Sequence, residues 1–300
     1  MSQEKILQLL TRAKKDCVEF SQKYQGGGII KKLKRFYKYK LSYFNYILER
    51  LGFKKKYSLF KNEFDLIKFG FGEIKTLEFF IKHMKKGDVF YDIGANQGLF
   101  SLLIKDYFDN DVEIHSFEPC EDYFKILNER FKKYTNKKNI YLNQLALADY
   151  IGYLDLKIPI KIKFGFASSA SVIDDFSKKY LKNYREVKVR CITLDEYCKS
   201  HKAPNFIKID VDGAEQYVIN GGISILSEFN PVISMEIVGG KLGIKYSLKA
   251  AIKLYKLGYK IFYISDESSN KLIEFSLKDL YDYIKYKDGD NFIFSKNNIM

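Results

Sequence analysis

The sequence predicts an α/β fold with a mostly parallel sheet covered by helices on both faces. Three observations predict it. From residue 88 onward, short β-rich runs alternate with amphipathic helical stretches, the pattern that builds parallel sheets. A turn with glycines at 94 and 98 follows directly on the first of these runs and opens a helix. The chain of 300 residues, 46% hydrophobic and 29% charged, is long enough to bury a full-sized core.

The elements follow in order. Asp88–Ile93 reads as a strand and Leu99–Phe108 as a helix; Val112–Phe117 is a second strand, with a helix from Glu121 to Tyr134. Ile140–Leu147 reads as a third strand. Tyr153–Ile158 and Val187–Ile192 alternate in polarity and read as two further strands, around a polar loop that holds Ser168, Ser169 and Ser171. Phe206–Val211 and Val232–Ile237 return to the alternating pattern, each followed by a helix. Tyr259–Ile264, Lys271–Phe275 and Asp290–Ser295 close the chain as strands.

Composition excludes several functions. No run approaches the roughly 18 apolar residues of a membrane span. The opening MSQEKILQLL is unlike a secretion signal. Cysteines 17, 120, 191 and 198 form no CxxC pair, and His83, His115 and His201 show no metal-binding spacing, which argues for reduced thiols in a cytoplasmic protein and against zinc. The net charge of +14 is concentrated. Residues 29–56 hold ten basic residues against the single acid Glu49, on a stretch whose apolar residues recur every three or four positions. Residues 1–73 therefore read as a basic helical extension and residues 74–300 as the main domain. The extension suits a helical hairpin packed on that domain, a surface helix at the inner face of a membrane, a homodimer contact or a clamp on an acidic substrate.

The informative motif is Asp92-Ile93-Gly94-Ala95-Asn96-Gln97-Gly98. A dinucleotide enzyme wants GxGxxG here; an acid two residues before Gly94 opposes a pyrophosphate and suits a ligand with positive charge or hydroxyls. S-adenosylmethionine has an ammonium, a sulfonium and a ribose diol. Glu118, at the end of the second strand and 20 residues past Gly98, can accept both ribose hydroxyls. Asn96 is either a ligand contact or a helix N-cap. In Asp210-Val211-Asp212-Gly213-Ala214-Glu215, strand alternation would put Asp210 and Asp212 on one side, where two acids can raise one pKa toward that of a general base. Asp210 can instead position the methionine amino group, and Glu215 reads as structural. No metal site is expected, though Asp210, Asp212 and Glu236 could together hold Mg²⁺. Lys208 stands out among apolar neighbours, either pairing with an acid or reaching an edge.

Together with Phe117-Glu118-Pro119, Thr193-Leu194-Asp195, Gly221 and Ile207-Lys208-Ile209, these motifs resemble the FkbM family of S-adenosylmethionine-dependent methyltransferases over roughly residues 74–296. The resemblance implies a class I methyltransferase fold of seven strands, the last antiparallel, with Asn291–Phe294 as its closing strand. It implies Asp92, Gly94, Asn96, Gly98, Glu118, Ala146 and Asp210 as cofactor residues, and Asp210 and Asp212 as catalytic ones. Ala146 falls where many class I enzymes carry an acid for the adenine, and Asp212 where the family usually has Glu. The implied activity is O-methylation of a saccharide, glycolipid or secondary metabolite. An RNA methyltransferase with a basic arm is the alternative, against which the nearly neutral main domain argues, and a non-catalytic cofactor-binding scaffold at a membrane surface is the other.

Overall fold

The computed structural model describes residues 72–109, 111–132, 134, 138–159, 171–173, 175, 183–265, 271–287 and 289–299. The basic segment 29–56, the rest of the proposed extension before residue 72, and Ser168 and Ser169 lie outside them. The first described element, α1 (Gly72–His83), spans the 73/74 boundary expected from sequence.

The main sheet is built from β1 (Val89–Ile93), β2 (Glu113–Phe117), β3 (Ile140–Asn143), β7 (Phe206–Ile209), β8 (Val232–Val238), β9 (Lys260–Ile264), β10 (Leu272–Phe275) and β11 (Gly289–Ser295). Their order is β10-β9-β11-β8-β7-β1-β2-β3. The neighbours from β8 to β3 pair in parallel, and β11 runs antiparallel to both β8 and β9. A mostly parallel sheet whose last strand runs antiparallel is what the resemblance implies, with one correction: the sheet has eight strands, not seven. Leu272–Phe275 forms an antiparallel hairpin with β9 and adds a strand at that edge.

The chain leaves β1 toward β2 and β3, then crosses back to place β7 on the other side of β1. The point where the order reverses lies between β1 and β7, and open α/β sheets bind ligands at the carboxyl ends of strands beside such a point.

Helices cover both faces. On one, α1, α2 (Leu99–Phe108) and α3 (Glu121–Phe131) pack on Phe90, Ile114, Phe206, Val232 and Ile293. Phe80 of α1 sits at the middle of this layer, its ring 5.2 Å from Phe90 and 6.1 Å from Phe206, both edge-on. The opposite face buries Tyr91, Ile207, Ile233 and Met235 beneath α4 (Leu194–Tyr197), α5 (Glu215–Asn220), α6 (Ile223–Glu228), α8 (Ser247–Lys256) and α9 (Leu277–Tyr286). The short α7 (Gly240–Lys245) links β8 to α8. Such double burial is why the central strands read as nearly continuous apolar runs.

A second sheet of three strands, β4-β6-β5, stands beside the first. β5 (Gly152–Pro159) and β6 (Tyr184–Ile192) form the antiparallel pair expected from their alternation. β4 (Ala146–Leu147) pairs in parallel with the end of β6, Ala146 opposite Cys191. The expected third strand over 140–147 is thus two strands in two sheets: β3 ends at Asn143, and Ala146 belongs to the smaller one. Likewise the helix expected to reach Tyr134 stops at Phe131.

Several motif residues hold this frame together. Thr193 caps α4 by accepting from the Glu196 N–H at 3.0 Å, and the Asp195 carboxylate accepts from Ser224 N and Ile225 N at 3.2 and 3.0 Å. Gly221 lies against the start of the small sheet, where an added Cβ would be 2.0 Å from the Ala148 carbonyl oxygen.

Candidate functional site

Two turns at the carboxyl end of the main sheet form the site. The first runs from Ile93 at the end of β1 to Gly98 before α2. Gly94 has φ +79°, and a Cβ on it would lie 1.9 Å from the Asp210 carbonyl oxygen, so only glycine lets the two turns approach this closely. Gly94 N and Ala95 N both donate to the Phe117 carbonyl at 3.0 and 2.9 Å. Asn96 is also left-handed, with φ 52°, and its side chain accepts from Gln97 N at 2.8 Å. It is not the N-cap; Gly98, with φ 82°, directly precedes α2. Arg130 of α3 closes the turn from outside, donating to the Gln97 carbonyl at 2.5 Å and to Gln97 Oε1 at 3.1 Å.

Glu118 clamps this turn. Oε2 accepts from Asn96 N and Oε1 from Cys120 N, each at 2.8 Å, so one carboxyl group joins the glycine turn to the chain leaving β2. Burial pushes its pKa up to about 8, against the pull of those two N–H bonds. Asp92 is buried one step below. Oδ2 accepts from Ser101 Oγ at 2.6 Å and from Ser101 N at 3.2 Å, and Oδ1 is buried with no hydrogen-bond partner. Burial raises the Asp92 pKa, and Lys208 and Ser101 work in the other direction. Asp92 thus anchors α2 beneath the turn.

The second turn follows β7, which ends at Ile209 rather than Val211. Asp210 N still donates to the Ile93 carbonyl at 3.0 Å, but Asp212 has φ 50° and lies in the left-handed region. Strand alternation therefore does not relate Asp210 to Asp212. Both acids stay partly accessible, while Glu215 at the start of α5 is fully buried. Glu215 Oε1 accepts from Gly213 N at 3.0 Å, and burial pushes its pKa up to about 7, with Asp210 and Asp212 adding to the rise. Lys208 pairs with an acid, as one of the two sequence readings had it: Nζ is 2.9 Å from Asp210 Oδ2.

The insert reaches this turn. Ser171 bridges Lys157 of β5 through both backbone groups, and its hydroxyl donates to the Asp212 carbonyl at 3.0 Å. Ile173 then packs with Ala214 and Val238, and Asp175 is bonded by Lys245 and by the Tyr246 hydroxyl. The described part of the polar loop thus runs along one wall of the cleft. Tyr123 and Cys120 pack against Leu156 and Ile158 beside it.

Among the described residues no group of three or more His, Cys, Asp or Glu side chains could hold a metal ion, so Asp210, Asp212 and Glu236 do not form the Mg²⁺ set suggested by sequence. Glu236 faces Asn291 across the β8–β11 pair. His115 is buried, with Nε2 on Glu113 and Nδ1 on the Tyr197 hydroxyl, and burial takes its pKa down to about 4. His201 stacks on Tyr197 at 4.0 Å. Both are parts of a packed aromatic cluster. No described helix is long and apolar enough to cross a membrane.

Arg130 and the contact of Ser171 with Asp212 escape a reading by motif alone. Glu215 reads as structural from the sequence, and Lys208 left a signal, a single charge inside an apolar strand.

Residues 92–261, more than half of the chain, match the family model described as the methyltransferase FkbM domain. Similar solved structures include methyltransferase FkbM from Methylobacillus flagellatus KT, at 13% identity over 74% of this chain and 47% of that one, with a TM-score of 0.46. A SAM-dependent O-methyltransferase from Thermotoga maritima is similar at 10% identity over 75% of this chain and 65% of its own, with a TM-score of 0.39. Fibrillarin from Aeropyrum pernix, in complex with natively bound S-adenosyl-L-methionine, is similar at 12% identity over 70% and 67%, with a TM-score of 0.36. The chain thus spans about half the length of the Methylobacillus protein. No curated protein matches it in sequence.

Proposed function

The chain belongs to the FkbM family of S-adenosylmethionine-dependent methyltransferases, and on that footing we propose that it methylates a hydroxyl group of a saccharide, glycolipid or related secondary metabolite. The observation that carries the reading is the pair of turns at the strand-order reversal: a glycine turn held by a buried carboxyl group, with two further acids on the next strand end.

The residues present fit the methyl donor. Each Glu118 oxygen already accepts one backbone N–H and keeps a second lone pair that could take a hydroxyl of a ribose diol, at the strand end where a nucleoside ribose binds in such sheets. Gly94, Asn96 and Gly98 give a turn with no Cβ at its two tightest points, so a ligand can approach the backbone. Asp92 holds that turn from below. Asp210, partly exposed at the rim, accepts from the ammonium of the donor's methionine. S-adenosylmethionine, when bound, supplies an electrophilic methyl group on its sulfonium.

The acceptor hydroxyl must lose its proton. Asp210 is bonded to an ammonium already, which weakens it as a base. Asp212 is the proton acceptor in this reading, set in the left-handed region and braced by Ser171. With donor and acceptor bound, the two turns would align the reacting groups, and much of the acceleration of such a transfer arises from alignment.

A membrane-bound acceptor is a second reading, resting on the charge of residues 29–56. Lys75, in the first turn of α1, donates to the Ile264 carbonyl at the end of β9, and so the chain enters the domain on the side of the strands' carboxyl ends. The ten basic residues of 29–56 precede that entry and suit anionic lipid.

The test is incubation with methyl-labelled S-adenosylmethionine and a fractionated extract of the source cells. Label in glycan or glycolipid, lost with Glu118→Ala, is the expected result. Label in RNA, or no label and no binding of the donor, contradicts the reading.

A further inference from the structure

Beneath the site, four neighbouring strands place a polar side chain at the same level of an otherwise apolar face. Ser116 pairs with Asp92, Asp92 with Lys208 and Lys208 with Ser234 in the strand register. One step lower on the same face stand Ile114, Phe90, Phe206 and Val232, all in the core under α1 and α2. All four polar residues are buried, Lys208 at 3% exposure. A buried ammonium is costly unless acids pair with it. Lys208 is placed to meet two. Asp92 is its register partner on β1, and Asp210, two residues on and at the rim, takes its Nζ at 2.9 Å. The Phe100 ring of α2 closes the other side, 4.8 Å from Nζ. Ser101 of the same helix holds Asp92 and also meets Ser116 Oγ at 2.7 Å.

The charge balance of this group is informative. Lys208 places one positive charge between two acids, Asp92 across the strand register and Asp210 in an ion pair at the rim. Without Lys208 there would be two carboxyl groups on adjacent strand ends and no buried cation between them; a shared proton would then be favoured, and Asp210 would lose the bond that orients it.

We propose that Lys208 is a positioning residue of the methyl-donor site, which fixes the Asp210 carboxylate toward the ammonium of the donor's methionine moiety. The proposal rests on the methyltransferase reading above. It concerns the amino-acid end of the ligand alone and separates two ligands that share the nucleoside: S-adenosylhomocysteine carries the ammonium, 5′-methylthioadenosine does not.

Calorimetric titration of the full chain with both ligands tests it. In Lys208→Met, affinity for S-adenosylhomocysteine falls about tenfold or more, some 1.4 kcal/mol, and affinity for 5′-methylthioadenosine stays within about twofold. Asp210→Asn gives the same split, and the double variant is no weaker than Asp210→Asn alone. Lys208→Arg, which keeps the charge, recovers most of the loss. Equal loss of both ligands in Lys208→Met, or unchanged affinity for S-adenosylhomocysteine, overturns the proposal. Lys208→Gln is the second variant should Lys208→Met fail to fold; failure of both to bind 5′-methylthioadenosine makes Lys208 a residue of the fold and also overturns it. Wild-type protein that binds neither ligand contradicts the methyltransferase reading instead.

Discussion

The turn after β1 and the turn after β7 are made of the same parts and held in different ways. Each leaves a central strand, each contains a left-handed residue that is not glycine (Asn96 and Asp212), and each has a buried glutamate bonded to a backbone N–H (Glu118 and Glu215). The first turn is held from a distance: Phe117 and Glu118 come from β2, and Arg130 comes from α3. The second is held by its own next residues and by the insert, through Ser171. A turn clamped by the core is suited to bind a constant ligand, and a turn braced by an insert is suited to meet a variable one. In the proposed reading the donor and the acceptor differ in just that way.

Breaking the contact between the two turns has the largest expected effect. Gly94→Ala puts a Cβ 1.9 Å from the Asp210 carbonyl oxygen in a left-handed backbone, and neither part can yield cheaply. It should cost at least about 3 kcal/mol of stability and abolish donor binding. Gly98→Ala sharpens the point. Its Cβ would meet Leu127 Cδ1 at 2.1 Å, a side chain that can rotate, so a smaller loss of about 1–3 kcal/mol is expected in a urea titration.

The second turn should respond in activity rather than stability. Asp212→Gly removes a side chain from a left-handed position and should leave the melting temperature unchanged or higher. Turnover should fall about 10²–10⁴-fold, the usual worth of a general base. An Asp212→Gly enzyme with normal turnover would remove Asp212 from the chemistry.

The two buried glutamates give a pH dependence with a definite sign. Both have folded-state pKa values raised by burial, Glu118 to about 8 and Glu215 to about 7. Their neutral forms are favoured in the fold, so their contribution to stability is full below the unfolded value near about 4.3 and is lost as pH rises through about 7 to 8. Melting temperatures should fall between pH 5 and pH 9, and the paired change to Gln should flatten that fall. Donor affinity should run the other way in the wild type. A carboxylate accepts from both hydroxyls of a diol and a carboxylic acid does not, so affinity rises through about pH 8.

The smallest effect is expected at the insert. Ser171→Ala removes one hydrogen bond to the Asp212 carbonyl and one from Ile173 N. A loss of about 0.5–1.5 kcal/mol, a modest drop in turnover and unchanged donor binding would fit a brace on the second turn only.

The same contrast explains what could be read from the sequence. The first turn was legible because its chemistry is written locally: an acid, two glycines and an acid at the next strand end. The central strands were legible because burial on both faces leaves long apolar runs. The second turn was legible as a motif and misread as geometry. Nothing in Ile209-Asp210-Val211-Asp212 announces that the strand stops at Ile209, because the stop is set by the approach of Gly94 from β1. The contact of Ser171 with Asp212 joins residues 41 apart in sequence and has no periodic trace. The break after Asn143 has the same origin, since Ala146 is drawn away by pairing with Cys191 of β6. The eighth strand was legible as a strand; its edge pairing with β9 was not.

The most direct measurement is the titration of wild type and Glu118→Gln with S-adenosylhomocysteine at pH 8.5. Binding by the wild type and a loss of about tenfold or more in Glu118→Gln, with both proteins melting cooperatively, is the predicted result. Equal affinity in the two proteins would contradict the assignment of the first turn as the donor site.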